Sequence, residues 1–253
     1  MSQCMGDTDI KVSIITATYN SSSTLKRTMK SVLEQTYSHL EYIIMDGASE
    51  DDTLEIARSF ETDFAKAGKE LRIFSVKDRG MYDAINKGVD IATGVLIGNV
   101  NSDDFYEPDA VENVVNEYLK EPYDMIYGDL RIYKKAGSFI KKARLEPFVS
   151  TRYWNHPTTF ITKETYSKEK YRVESMYDDY DLMLRLRKGG YRVRVVNKVL
   201  SNFTFGGMST QKSLKKTFER IKLNLRICRR NGYGGPRYII DNIAKELVKY
   251  IMG

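Results

Sequence analysis

Two adjacent carboxylates at the end of an apolar run are the first residues in this chain that could do chemistry. In Asn99 to Tyr106, NVNSDDFY, Asp103 and Asp104 follow the strand-like Val95-Leu96-Ile97 and precede Glu107-Pro108, which reads as a helix start. Two acids so close together repel unless a counter-charge is present. A hard cation with oxygen ligands, carrying a phosphate-bearing substrate, would account for them. The same residues also suit an acidic turn that caps the next helix, and the octapeptide alone leaves both readings open. A second acidic group, Asp178, Asp179 and Asp181, stands just ahead of Leu182, Leu184 and Leu186. Acids at a helix start are favoured by the helix dipole whatever else they do.

The elements that must position these groups alternate. Lys11 to Asn20, KVSIITATYN, is rich in β-branched residues and turns polar at its end, as a buried strand meeting a ligand would. Ser21 to Ser23 can cap a helix carrying Leu25, Met29, Val32 and Leu33 on one face. Leu40 to Met45 predicts a second strand ending at Asp46-Gly47, followed by a helix with Leu54, Ala57, Phe60 and Phe64 at helical spacing. Leu71 to Val76 predicts a third strand and Met81 to Ala92 a third helix, and Gly94 leads into the strand before Asp103. This rhythm predicts an α/β fold, a Rossmann-like, mainly parallel sheet flanked by helices, with ligands outside the carboxyl ends of the strands. Thr18 to Asn20, Asp46-Gly47, Asp78 to Gly80 and Asn101 to Asp104 all fall at such ends, which points to a nucleotide site. Taken singly, each is an ordinary loop or turn. No GxGxxG follows the first strand and no GxxxxGK[ST] occurs, so neither a dinucleotide site nor a P-loop is supported.

VSIITATYN, the turn Asp46 to Asp51, DRGMYDAINKG from Asp78 to Gly88, the NSDD of Asn101 to Asp104 and YDDYDLMLRL from Tyr177 to Leu186 occur in order. Together they resemble the family 2 glycosyltransferases of the GT-A fold, in the bacterial branch that builds surface polysaccharides and glycolipids. The likeness runs from about Val12 to Asn197, with a further match at Phe205-Gly206-Gly207-Met208-Ser209. The resemblance implies a nucleoside-diphosphate sugar donor, a divalent metal (Mn²⁺ or Mg²⁺) and inverting transfer to a glycan or lipid-linked glycan acceptor. By matching position, Thr16, Ala17, Thr18, Tyr19, Asn20 and Asp46 would hold the nucleoside, Asp46 accepting from a base N–H. Asp78, Gly80, Tyr82, Asn86, Lys87 and Ser102 would border the ribose and diphosphate, although Tyr82 also suits the helix core and a lone helical Lys is usually solvated. Asp103 matches the metal ligand, whereas Asn101 stands where many members carry a further Asp. Asp179 matches the catalytic base, the group that would take the proton of the attacking hydroxyl. Asp104, Trp154, His156 and Asp178 are the candidates for contact with the acceptor. A single Trp beside Phe and Tyr is as often a core cluster.

Composition narrows the remaining choices. The 253 residues suffice for a sizeable core, and Cys4 and Cys228 form no ligand or disulfide framework, which suits a cytoplasmic protein. No signal peptide or membrane span is legible. Lys212 to Arg230 holds eight Lys or Arg and one acid, whereas residues 1–211 hold 29 bases and 31 acids. So local a charge argues against a nucleic-acid binder. The division expected is a catalytic domain over 1–210, with nucleotide and acceptor halves at 1–105 and 106–210, and a basic amphipathic helical extension over 211–253. In that extension Leu214, Phe218, Ile221 and Leu225 form one stripe, and Ile239, Ile240, Ile243, Leu247 and Ile251 another. Such helices could pack on the domain, form a homodimer or lie on an anionic membrane at the inner face. The alternative to an enzyme is a non-catalytic sugar-nucleotide-binding or membrane-associated scaffold.

Overall fold

A computed structural model describes residues 10–134, 137–204 and 214–252, with side chains through Val248. The turn expected at Phe205 to Ser209 and the division at residue 210 lie outside the described residues. The amino-terminal half follows the alternation predicted for it. Strand β1 (Val12–Thr18), helix α1 (Leu25–Leu33), strand β2 (Leu40–Asp46), helices α2 (Thr53–Ser59) and α3 (Glu61–Lys66), strand β3 (Glu70–Ser75), helix α4 (Met81–Ile91) and strand β4 (Leu96–Asn99) succeed one another. The four strands are parallel in the order β3-β2-β1-β4, with Thr18 in register beside Asp46 and Asp46 beside Ser75. Their polar ends therefore lie side by side.

Past Asn99 the sheet becomes mixed. Strand β5 (Phe105–Tyr106), helix α5 (Ala110–Lys120), strands β6 (Met125–Lys134), β7 (Gly137–Lys141) and β8 (Phe160–Thr162), helices α6 (Lys163–Lys168) and α7 (Asp178–Lys188) and strand β9 (Val193–Thr204) complete it. The full order is β3-β2-β1-β4-β8-β6-β9-β5, with β7 paired to β6 as a hairpin. β8 runs antiparallel to both β4 and β6, whereas β9 runs parallel to β6. The short link from Asn99 to Phe105 contains a turn closed by Asp104 N–H on the Asn101 carbonyl at 3.0 Å, yet it joins strands four places apart in the order. In a flat sheet that separation is ~19 Å, close to the full reach of the extended link, so the sheet must curl.

Side chains alternate to the two faces. Ile14, Tyr42 and Ile44 enter the core with α1, Phe64 and α5, while Ile15, Ile43 and Met45 enter the core beneath α4 and α7. Each such aliphatic chain taken from water contributes about 1.5–3 kcal/mol. Gly94 permits the close approach of β4 to β1, because a Cβ there would come within 2.5 Å of the Ser13 backbone nitrogen. Helices α8 (Leu214–Arg230) and α9 (Pro236–Met252) form a hairpin on the domain. The face of α8 that packs is not the predicted apolar stripe: Thr217, Arg220, Asn224, Ile227 and Cys228 are buried, while Leu214 and Phe218 are exposed. Among the described residues, no helix is long and apolar enough to cross a membrane.

Candidate active site

The ends of β1 and β2 build a polar floor. Thr16 is internal: its hydroxyl meets Tyr42 Oη and donates to the Val100 carbonyl, both at 2.8 Å. Ala17 lies between them, half-buried, with its methyl toward the core. The Thr18 hydroxyl is buried without a partner among the described residues, leaving it able to donate and to accept. Tyr19 is 59% exposed and lies over Gly47, whose Cβ would sit 3.4 Å from its ring. Asn20 and Ala48 hold φ angles of 48° and 64°, the left-handed region, one in each of the two loops. Such conformations persist where surrounding bonds impose them. Here Asn20 Oδ1 accepts from Glu50 N–H at 2.9 Å, and Asn20 N–H donates to Ser49 Oγ at 2.9 Å.

Asp46 does not present the free carboxylate expected of a partner for a base N–H. It is 2% exposed and accepts from Ser49 N–H, from Ser49 Oγ at 2.5 Å and from Ser75 Oγ at 2.6 Å, so it braces the loop instead. The carboxylate with an oxygen to spare is Asp78. Its Oδ1 accepts from Gly80 N–H at 2.7 Å, while Oδ2 stands over Gly47, where any Cβ would collide at 2.7 Å. Gly80, at φ 113°, then starts α4 in a conformation that side chains resist.

Along α4 the predicted ribose and diphosphate residues are mostly engaged elsewhere. Asn86 brackets the backbone of Tyr171, donating to its carbonyl at 2.8 Å and accepting from its N–H at 3.1 Å. Tyr82 is buried, stacks on Tyr171 with ring centroids 4.8 Å apart and donates to the Met176 carbonyl. Lys87 pairs with Asp83 at 2.9 Å and donates to the Lys77 carbonyl. The motif thus joins the nucleotide half to the loop that leads into α7.

At the end of β4 the two adjacent acids part company. Asp104 is buried; it accepts from Asn101 Nδ2 at 3.1 Å and from Thr204 N–H at 3.4 Å. Burial and then the charge of Asp103 push its carboxyl up to about 7. It braces the loop between Asn101 and Thr204. Asp103 is half-buried, and among the described residues no hydrogen bond or ion pair reaches its carboxylate. Its carbonyl is held by Arg27 at 2.6 Å, and Arg27 also donates to Thr204 Oγ1 at 3.0 Å. Ser102 Oγ bonds Ser21 Oγ at 2.9 Å, tying this loop to the end of β1. Among the described residues, no group of three or more His, Cys, Asp or Glu could hold a metal by itself. The donor set here is one accessible carboxylate, which fits Mg²⁺ or Mn²⁺ held jointly by protein, water and substrate phosphates.

The second acidic group separates in the same manner. Asp178 is fully buried and accepts from Glu174 N–H at 2.7 Å and from Ser175 N–H at 3.0 Å, so it caps the preceding loop. That loop carries Val173 at φ 59°, a costly conformation for a β-branched residue. Asp181, also fully buried, receives Arg185 Nε at 3.0 Å, Arg230 Nε at 2.9 Å and Asn231 Nδ2 at 2.7 Å. Asp179 alone reaches open space, its side chain 19% exposed. Its Oδ1 accepts from Tyr180 N–H at 2.7 Å, its Oδ2 lies 3.9 Å from His156 Nδ1, and its charge faces the Tyr82 hydroxyl. Burial lowers the His156 pKa, with Asp179 acting against that shift. His156 is seated edge-on against Trp154 and Tyr171. Trp154, a candidate for acceptor contact or core, lies in the core: it is 4% exposed, with its indole N–H donating to Thr159 at 2.9 Å.

Arg27, Ser75, Tyr171 and Arg230 carry no motif, and their partners Asp103 and Thr204, Asp46, Asn86 and Asp181 lie 29 to 177 residues away, so only folding reveals their part in the site.

A profile of the family described as "Glycosyl transferase family 2" matches residues 13–178. A "PGL/p-HBAD biosynthesis glycosyltransferase" of Mycobacterium bovis (strain BCG / Pasteur 1173P2) is 30% identical over 230 residues, 85% of each chain. Among solved structures, S. aureus TarS 1-349 in complex with UDP superposes with TM-score 0.65 at 15% identity, over 96% of this chain and 72% of that one. Mannosyltransferase PcManGT from Pyrobaculum calidifontis, in complex with GDP-Man and Mn²⁺, gives TM-score 0.63 at 17% identity, over 94% and 69%.

Proposed function

This chain belongs to glycosyl transferase family 2 and is a glycosyltransferase of glycan biosynthesis, and on that premise we propose that it inverts the anomeric carbon of a nucleoside-diphosphate sugar. One observation supports the reading above the rest: Asp179 is the one accessible carboxylate of its group, and it faces Tyr82 of the helix that starts beside Asp78. A base at Asp179 would therefore be linked through α4 to the nucleotide end of the sheet. The acceptor class is a cell-surface glycan or a lipid-linked glycan, and the enzyme works in the cytoplasm, against the membrane that bears such an acceptor.

In this scheme the nucleoside lies on Tyr19, with the unpartnered Thr18 hydroxyl and the spare Asp78 oxygen offering polar contacts. Asp46 serves by holding Ser49 and Ser75 in place. Asp103 would hold a divalent cation, Mn²⁺ or Mg²⁺, which when bound supplies positive charge to the leaving diphosphate. The Mn²⁺ and GDP-Man bound by PcManGT, and the UDP bound by TarS, are consistent with such a donor complex. The acceptor oxygen attacks C1 opposite the diphosphate, the C1–O bond to phosphate breaks with its electron pair leaving on the diphosphate, and Asp179 takes the hydroxyl proton. His156, neutral because burial lowers its pKa, sits beside Asp179 without neutralising it, and orients the carboxylate or the incoming hydroxyl.

A thermal-shift screen of UDP-, GDP- and dTDP-sugars with and without Mn²⁺ identifies the donor, and NMR of the product reads its anomeric configuration. Stabilisation by one nucleotide class, greater with Mn²⁺, and an inverted product are expected. A retained configuration, or no response to any nucleotide sugar, would sink the proposal.

A further inference from the structure

In water a helix pair turns its apolar face inward, and the α8–α9 hairpin does so only in part: Ile227 and Cys228 enter the core, with Leu223 and Tyr238 packed against it, while other apolar side chains stay outside. The rest of the buried seam is polar: Thr217, Arg220 and Asn224 on α8, and Asp241, Asn242 and Glu246 on α9. Its charged groups are paired. Arg220 Nε donates to Glu246 at 2.7 Å, Arg152 and Lys245 hold Asp241 at 2.5 and 3.0 Å, and Asn242 donates to the Tyr238 carbonyl at 2.8 Å. Five apolar residues look outward. Leu214 and Phe218 on α8 are 69% and 70% exposed, and Ile240, Leu247 and Val248 on α9 are 67%, 47% and 48% exposed.

Charge indicates what covers them. Lys215, Lys222, Arg226 and Arg229 on α8 and Arg237 on α9 are exposed, whereas Asp241 and Glu246 are turned inward. Glu219 is the one exposed acid among residues 214–248. A second copy of the chain would bring these cations against their own equivalents, because a two-fold interface is self-complementary. An anionic bilayer meets both needs, taking apolar side chains into the headgroup boundary and cations onto lipid phosphates. We infer that the α8–α9 hairpin is a membrane-docking surface, in which Leu214, Phe218, Ile240, Leu247 and Val248 enter an anionic leaflet while the flanking Lys and Arg contact its phosphates.

Docking by this surface would also orient the reaction centre. At the end of α8, Arg230 and Asn231 clamp Asp181, two residues along α7 from Asp179. Resting on the reading of Asp179 as the base, this clamp fixes that carboxylate relative to the leaflet, which suits an acceptor anchored there by a lipid.

The full chain is sedimented with phosphatidylcholine vesicles prepared with and without phosphatidylglycerol, alongside transfer to a water-soluble acceptor. Binding should require phosphatidylglycerol and weaken with salt. The Phe218→Ser/Leu247→Ser variant should lower the partition about tenfold or more, and Lys222→Gln and Arg226→Gln about fivefold apiece. These side chains are exposed, so thermal midpoints and soluble-acceptor turnover should stay at wild-type values. Equal partition of wild type and variants overturns the inference. So does a dimer in light scattering that dissociates in the Phe218→Ser/Leu247→Ser variant, since it assigns the stripe to self-association. Vesicle binding without any transfer would uphold docking and refute the catalytic reading; transfer without vesicle binding would do the opposite.

Discussion

Asp179→Asn isolates the proposed proton transfer from everything else the loop before α7 does. Asparagine keeps the shape of the side chain, and its amide oxygen can still accept the Tyr180 N–H that Asp179 accepts at 2.7 Å. What it cannot do is take a proton. A positioned general base contributes on the order of 10²–10⁴ in rate, which corresponds to about 2.7–5.5 kcal/mol of barrier. The donor contacts proposed at Tyr19, Thr18 and Asp78 lie on other elements, so the donor dissociation constant should change by no more than about twofold. The neighbouring acids that brace the fold, Asp178 and Asp181, are fully buried and left alone by the substitution. Steady-state release of nucleoside diphosphate with acceptor present reads the rate, and calorimetric titration of the nucleotide reads donor binding. A rate within about threefold of wild type would refute Asp179 as the base. A parallel loss of donor affinity or of the thermal midpoint would mean that the defect is structural.

His156 lies beside Asp179 with its pKa lowered by burial, so it is neutral at neutral pH; acidification through a value below the usual ~6.5 protonates it, pairs it with Asp179 and lowers kcat. His156→Gln should remove that acid limb from the pH profile, and an unchanged limb would exclude His156 as its source. Gly47→Ala places a Cβ 2.7 Å from Asp78 Oδ2, which can move as the far end of a side chain, so the fold should survive while the donor KM rises about tenfold; an unchanged KM would remove Asp78 from the donor site. Asp104, buried and pushed up from 3.8 to about 7, folds best protonated, so its contribution is full below the unfolded value and is lost as pH climbs from about 4 to about 7. Asp104→Asn, melted without added cation, should gain on wild type across that window by up to about 4 kcal/mol, and a difference that does not vary with pH would refute the shift.

The amino-acid sequence by itself determined the alternation of strands and helices to Asn99, the four polar strand ends and the family resemblance, because these are local in the chain. Periodicity of two or of 3.6 residues reports which face of an element is apolar, and loop composition reports where strands stop. What it left open depended on partners far away in sequence. Adjacent Asp103 and Asp104 look alike as residues, yet Asn101 and Thr204 enclose one and leave the other accessible. Residue type alone did not separate Asp178, Asp179 and Asp181; the resemblance singled out Asp179, and in the structure the Glu174 and Ser175 amides hold the first while Arg185, Arg230 and Asn231 hold the third. Trp154 could have been wall or core, and only the packing around β8 put it inside. The tail makes the same point. Its apolar stripes were legible, but whether such a stripe meets the protein or something outside it depends on which face the domain can satisfy. Here the cations of Arg152 and Arg220 engaged Asp241 and Glu246, drawing the polar face inward and leaving Phe218 and Leu247 outward.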